Sequence, residues 1–506
     1  MFMRERKIES AIKRLESLIS KEIKPITNLT YAECGYKTKN VPDDNLAFCE
    51  LTSETVLHAL DKHYWIKGGF KTESIPAYCE QYLKINGITD ARNSSSGQCI
   101  VYLNGEMVQE FDANHTEVLL GADTEYELLV YFYGGYDNDA YKHSHFNISF
   151  DIIEKDTRIE KLYYDLCVPF ESCLVLDKQS QDYADILKSL DYAVNIIDLY
   201  DDNGEEFMKS VSETLRYLEN EFYGKICRDS KSKVYCVGQT HIDVAWLWTL
   251  AQTREKVQRS FSTVLALMEK YPEYIFMCSQ PQLYQYIKEE APEVYGKIKE
   301  KIKEGRWEPE GAMWLEADCN LISGESFIRQ IIYGKRFFKE EFGTDSKYLW
   351  MPDVFGYSAA LPQILKKCGV DYFLTTKISW NEFNKMPYDT FLWEGLDGTR
   401  VFTYFFDPIN VDLTPDAVYR RYKEGNKEKM YSSNALIGFG FGDGGGGPTS
   451  KMLEIQRRTA RGIPGMPQTK MSTVGEFLKT HEKAFNESCK LTFYLFLIIG
   501  IRTVIS

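Results

Sequence analysis

From Val234 onward the chain alternates between short apolar runs and longer amphipathic stretches, and this alternation limits the fold more than any other feature. The runs lie at 234–240, 274–279, 347–350, 371–376, 400–406 and 435–441, with 306–311 as a further strand, and helical segments separate them. Short, continuously apolar runs suit strands buried on both faces. Strands joined through helices pair in parallel, because a parallel connection needs a crossover. The expectation is an α/β domain, either doubly wound or closed into a barrel. Helix punctuation agrees. Thr414-Pro415 reads as an N-cap followed by proline at the first helical position. Gly369 stops a helix over 361–368, and Thr473-x-x-Glu476 fits a capping box.

Polar residues gather just after these strands: His241, Asp243, Ser279, Gln280, Asp353, Lys377, Asp407 and Asp443. In parallel α/β folds the ligand site lies at that edge. His241 and Asp243 stand two apart, so in extended backbone the imidazole and the carboxylate face one point. That is half of a divalent metal site with nitrogen and oxygen ligands. His-x-Asp alone is common. A second strand end, WMPDVFGY at 350–357, adds the carboxylate of Asp353.

The part before Val234 has a different character. Residues 1–59 read as a helical and irregular segment with a charged amphipathic helix at about 6–22. Residues 60–176 are dense in Tyr, Phe, Ile and Val and read as a β-sandwich-like domain. Its clearest unit is the hairpin 99–111 around Asn104-Gly105, where both turn residues tolerate positive φ. Further strands are expected at 125–133 and 145–153. His143 and His145 have metal-like spacing, but nothing nearby completes a site. Residues 177–232 read as a helical linker, and the α/β domain is expected over 233–489.

Composition sets the outer limits. The 506 residues hold two or three domains, and a net charge of −14 argues against nucleic-acid and anionic-membrane partners. Twelve scattered cysteines without a Cys-x-x-Cys pair, and a charged amino terminus without a signal-peptide core, point to a reducing, cytoplasmic setting. Oligomer formation stays open.

Four stretches, VYCVGQTHIDVAWLW (234–248), GRWEPEGAMWLEAD (305–318), WMPDVFGY (350–357) and GFGDGGGGPT (440–449), resemble glycoside hydrolase family 38, the retaining α-mannosidases. The last stretch is similar to the cytosolic or vacuolar and bacterial branch. The resemblance covers about 233–483. It implies an irregular (β/α)7 barrel and exo-acting hydrolysis of α-mannosides, whether oligosaccharides or mannosylated small molecules. It also implies one Zn2+ per catalytic domain, other divalent cations remaining open. It assigns the metal to His241, Asp243 and Asp353, makes Asp353 the nucleophile as well, and places Trp246 against the sugar. Asp443 follows a strand and opens four glycines, and is the candidate general acid/base. Glu316 and Asp318 follow a strand and are candidates for binding sugar hydroxyls or supporting the metal ligands. Trp248, Trp314 and Trp380 are expected to pack. The glycine loop lacks the Gly-Lys-Ser/Thr of a phosphate loop.

Two other classes stand beside this reading: a metal-dependent deacetylase or amidohydrolase, which needs a further histidine pair, and an inactive sugar-binding relative. The chain also departs from the family pattern. Family members continue beyond the barrel, and their fourth metal ligand is a histidine in that continuation. Here the sole histidine after His241 is His481, expected on the surface of a polar helix, and residues 490–506 are an aberrant apolar tail. The expectation is a truncated chain that holds zinc weakly and hydrolyses mannosides poorly.

Overall fold

The computed structural model describes residues 2–37, 39–58, 61–88, 97–135, 145–200, 204–406, 410–427, 429, 432–488 and 492–494. The chain divides into two compact units. The first comprises 1–230, 247–266 and 444–468, and the second 231–246, 267–443 and 469–506. The linker end at about 230 is thus a boundary, but two later segments return to the first unit.

The first unit opens with α1 (Phe2–Leu18) and continues with β1 (Ser20–Pro25), β2 (Leu29–Cys34), β3 (Cys49–Leu51), β4 (Leu57–His58), β5 (His63–Lys71), β6 (Cys79–Asn86), β7 (Gln98–Leu103), β8 (Glu106–Phe111), β9 (Glu117–Leu120), β10 (Glu125–Tyr133), β11 (His145–Phe146) and β12 (Ser149–Asp156). One antiparallel sheet has the order β3-β2-β5-β10-β7-β8, and a second has β1-β12-β6-β9. Alternate residues of both sheets enter one apolar core: Ile66, Val101 and Val130 from the first meet Leu83, Val118 and Ile152 from the second. The hairpin forms as read, with Asn104 at φ 52 and Gly105 at φ 81.

Two boundaries differ from the sequence expectation. The strands begin at Ser20, ahead of residue 60, because β1 (SKEIKP) carries no apolar alternation to announce it. Residues Thr157–Leu174 form a helix, α2, capped by the Asp156 carboxylate on the N–H groups of Arg158 and Ile159. His145 lies exposed opposite His58, whereas His143 lies outside the described residues. Helices α3 (Gln181–Ile196) and α4 (Glu205–Tyr217) occupy the expected helical stretch, and α5 (Leu250–Lys270) groups with this unit through Ala266.

The second unit alternates strand and helix: β13 (Lys233–Gln239), β14 (Phe276–Cys278), α6 (Pro281–Glu290), α7 (Pro292–Lys303), β15 (Trp307–Pro309), α8 (Gly324–Phe342), β16 (Tyr348–Met351), α9 (Leu361–Lys367), β17 (Tyr372–Thr375), β18 (Thr390–Glu394), β19 (Arg400–Phe405), α10 (Pro415–Lys423) and β20 (Asn434–Phe439). Parallel pairing runs β20-β13-β14-β15 and, separately, β16-β17-β19. A parallel bridge between Gly311 and Leu349 links the two sets, and another joins Val411 to Phe439. The antiparallel strand β18 beside β19 is an addition the alternation did not announce.

Successive residues of one strand feed different cores. Leu349 and Met351 of β16 join Phe327, Ile331 and Leu361 of the helices, whereas Tyr348 and Trp350 meet Val237, Leu374 and Phe402 of neighbouring strands. A strand buried on both faces needs apolar residues at every position, which is why these runs lacked alternation. Thr414 caps α10 as expected, and Gly369 ends α9 at φ 73. Half of the capping box forms, with the Glu476 N–H donating to Thr473 Oγ1 at 3.1 Å at the start of the helix Val474–Ser488.

His481 on that helix corrects the surface expectation. It is buried, with Nε2 2.8 Å from Thr390 Oγ1 and Nδ1 3.1 Å from Ser432 Oγ, stacked against Phe477. Of the tail, Thr492–Tyr494 run parallel to Leu392–Glu394, and the rest lies outside the described residues. No helix among the described residues is long and apolar enough to cross a membrane.

Candidate active site

The carboxyl ends of the second unit's strands carry the residues the sequence singled out. His241 follows β13 and is buried. Its Nε2 lies 3.2 Å from Asp243 Oδ1 and 3.6 Å from Asp353 Oδ2, the latter just beyond β16. Its Nδ1 lies 3.4 Å from Glu316 Oε1. Ligand-capable atoms of His241, Asp243 and Asp353 fall within 4.8 Å of one another. One nitrogen and two oxygens on converging strand ends, with two of the three residues half-buried, fit a divalent cation that keeps an open position.

Lys377, in a short turn after β17, completes the charge pattern. Its Nζ lies 2.5 Å from Asp353 Oδ1 and 3.7 Å from the centre of the Trp380 ring. The sequence had marked Lys377 only as polar at a strand end. Its place beside a carboxylate needed the parallel order of β16 and β17.

Asp443 is set by backbone. Its N–H donates to the His241 carbonyl at 2.7 Å, and its Oδ2 accepts from Asn410 Nδ2 at 3.1 Å. A side chain at Gly442 would displace the Asn410 amide that reaches Asp443. Asp443 takes φ 55, and Ala245, Gln280 and Ala312 at other strand ends take φ 68, 63 and 66. Left-handed backbone in non-glycine residues is strained and gathers at functional sites.

The environment pushes the carboxylates apart. Burial works to raise the Asp353 pKa, but hydrogen bonding and charge from His241, together with Lys377, outweigh it and hold the group below its usual value. Asp443 is raised, by burial first and then by the like charges of Asp243 and Asp353, against the opposing pull of His241 and Lys377. Burial alone would lower His241. Glu316 foremost, with hydrogen bonds to Asp243 and Asp353, holds it well above the ordinary imidazole value. These carboxylates favour a positive species at the ring.

The remaining candidates separate. Trp246 is 60 % exposed and Trp380 59 % exposed. Trp314 is tied to Gln282 and packs edge-on against Phe337, and Trp248 is buried in the first unit. Asp318 turns Oδ1 to the N–H groups of Asn320 and Leu321. Asp407 lies outside the described residues. Beside the site opens a cavity of about 780 Å3 lined in part by Thr376, Ser379, Asn410 and Asp389.

A carboxylate held low, a second held high and a group of metal-ligand residue types on one strand edge are compatible with hydrolysis of a glycosidic bond. Comparison with known proteins narrows the class. Residues 231–494, more than half of the chain, match the model of the glycosyl hydrolases family 38 N-terminal domain. The chain belongs to glycosyl hydrolase family 38.

It is 42% identical over 279 residues to alpha-mannosidase G of Dictyostelium discoideum, covering 54% of this chain and 25% of that protein. It is 40% identical over 282 residues to human alpha-mannosidase 2C1, covering 55% of this chain and 27% of that one. The matched region thus spans about a quarter of each of these relatives. A solved alpha-mannosidase from Enterococcus faecalis covers 50% of this chain and 29% of its own, with 19% identity and a TM-score of 0.44.

Proposed function

We propose that the site belongs to a retaining, exo-acting α-mannosidase that acts on α-mannosyl residues of oligosaccharides or mannosylated small molecules. The observation that carries this is geometric: His241, Asp243 and Asp353 converge within 4.8 Å at one strand edge and Asp443 is anchored there by its N–H on the His241 carbonyl, with the carboxylates of Asp353 and Asp443 displaced in opposite directions, down and up. Two titratable groups whose environments separate them in this way mark a base or nucleophile and an acid.

Asp353, ionised, attacks the anomeric carbon while the bond to the leaving oxygen breaks and Asp443 delivers its proton to that oxygen. The product is a mannosyl–Asp353 ester. Water then attacks the same carbon, Asp443 takes its proton, and the Asp353 carboxylate departs, so configuration is retained after two inversions. Lys377 holds one oxygen of Asp353 in place. Trp246 offers an indole face to the sugar. His241, Asp243 and Asp353 would hold the cation, proposed as Zn2+, which when bound supplies Lewis-acid charge for sugar hydroxyls. Asp318 completes the candidate set around the sugar, and Glu316, beside His241, takes the alternative role of supporting the metal ligands.

The fold reading that accompanies this is an irregular (β/α)7 barrel catalytic domain preceded in the sequence by a β-sandwich-like domain. The Gly311–Leu349 and Val411–Phe439 bridges support the first part, and the shared core of the two antiparallel sheets supports the second. A cytoplasmic setting is part of this proposal, and the free cysteines among the described residues support it.

The test is a mechanism-based trap. Incubation with a fluorinated α-mannosyl fluoride, which slows hydrolysis of the ester, is expected to add one mannosyl unit to the peptide containing Asp353. Labelling of a different carboxylate would refute the assignment, and chelation before the reagent should suppress labelling.

A further inference from the structure

Glu316 stands out at this site because it is too enclosed for the role of a sugar ligand. Its side chain is 9% exposed, and its two oxygens face protein groups. Oε1 lies 3.4 Å from His241 Nδ1, and Oε2 accepts the Asp353 N–H at 3.4 Å. Its own N–H donates to Gln280 Oε1 at 3.3 Å, while Gln280 Nε2 donates to the Ile242 carbonyl at 3.1 Å. One glutamate, with Gln280 as brace, therefore touches the segment after β13 that carries His241 and the segment after β16 that carries Asp353.

We infer that Glu316 is the positioning residue of this centre: it holds the Nδ1 proton of His241, so that Nε2 faces the gap between Asp243 and Asp353, and it fixes the backbone that presents Asp353. This deepens the metal reading given above and rests on it. An imidazole can ligate through only the nitrogen that lacks a proton, so the partner of the other nitrogen decides which one is available. The geometry allots the two nitrogens different neighbours. Nε2 has the half-buried Asp243 and Asp353, and Nδ1 has the enclosed Glu316. A carboxylate on the outer nitrogen also makes the ligating nitrogen more basic, and removing such a partner weakens metal affinity by about 10–100-fold. An amide at position 316 would keep the shape and an oxygen for the Asp353 N–H, but would put no charge beside His241.

The experiment measures metal binding and ring geometry, without substrate, on the full chain. Co2+ affinity is determined for wild type, E316Q and E316D. In Zn2+-loaded wild type, the ring nitrogens of His241 are read by 15N NMR and assigned with H241Q. The expected result is metal on Nε2 with the proton on Nδ1, a 10–100-fold loss of Co2+ affinity in E316Q, and a smaller loss in E316D, which keeps the charge. Ligation through Nδ1 overturns the inference in wild type alone, so the test survives a variant that does not fold. Unchanged affinity in a folded E316Q, or equal loss in both variants, overturns it while leaving the metal reading intact. If wild type and H241Q bind Co2+ alike, the metal reading itself fails and takes this inference with it.

Discussion

Each of the two units holds one histidine with two carboxylates, and their surroundings differ more than their contents. Glu110, Asp112 and His115 in the first unit, like His241, Asp243 and Asp353 in the second, bring ligand-capable atoms within 4.8 Å. In the first group every residue is buried. His115 Nε2 lies 2.9 Å from the Pro448 carbonyl, so it must donate, and Nδ1 lies 3.1 Å from Asp112 Oδ1 and 3.7 Å from Glu110 Oε1. Asp112 Oδ1 also accepts the N–H groups of Asn114 and His115 at 2.7 and 2.8 Å, and Arg259 Nε lies 3.5 Å from Glu110 Oε2. An imidazolium and a guanidinium thus stand beside the two carboxyl groups, of which Glu110 is pushed up to about 7 by burial first and then by Asp112. Burial would lower His115, but Asp112 and Glu110 outweigh it and hold it up at about 9. This is a closed charge lock. In the second group Asp243 and Asp353 reach a half-open edge, and the neighbouring lysine takes only one oxygen of Asp353. Proximity of ligand types does not make a site. Both Glu110 oxygens and Asp112 Oδ2 also lack a hydrogen-bond partner, so the accessible edge is what separates the second group from the first.

The comparison can be broken most severely at the nucleophile. Asp353→Ala is expected to reduce hydrolysis of α-mannosides in a family member carrying this site to background, with folding retained by circular dichroism. Asp443→Ala should cost about 10²–10⁴-fold on mannosides with poor leaving groups and much less on activated aryl mannosides, measured as kcat/KM. Equal loss on both would remove Asp443 from the acid role.

In the lock the expected effect is on stability. His115→Ala leaves Glu110 and Asp112 buried beside Arg259 alone, and should cost on the order of 3–5 kcal/mol in urea unfolding. Bound metal per folded chain should not change. A folded His115→Ala chain that loses its metal would mean that the lock had been misread as structural.

The smallest effects are in pH dependence, where two buried histidines should act with opposite sign. His115, raised to about 9, contributes stability that is complete below about 6.5 and lost as pH rises toward 9. His481 is lowered to about 4, by burial first and then by Arg421. Its contribution is complete above about 6.5 and lost as pH falls toward 4. Urea midpoints measured from pH 4 to 9 should show both slopes. His115→Gln should flatten the alkaline one and His481→Asn the acid one.

What the sequence disclosed follows from locality. Strands buried on both faces announce themselves as unbroken apolar runs: β17 and β19 lie within the expected stretches, and β13, β16 and β20 overlap theirs with one residue outside. His241 and Asp243 could be read together because two residues of extended chain fix their common side. The place of Glu316 could not, since it depends on the order of strands brought together from distant segments. The lock was equally hidden, because Glu110 and Arg259 lie far apart in the chain. His481 was legible after all. Phe477, His481 and Phe485 recur at helical spacing, and that aromatic stripe marks a core face that the surrounding charged residues obscured. β1 offered no such signal.

The most direct test of the contrast is an anomalous difference map at the zinc edge from a crystal grown with Zn2+. The account predicts a peak bounded by His241, Asp243 and Asp353, and none among Glu110, Asp112 and His115. A peak in the buried cluster, or none beside His241, would contradict it.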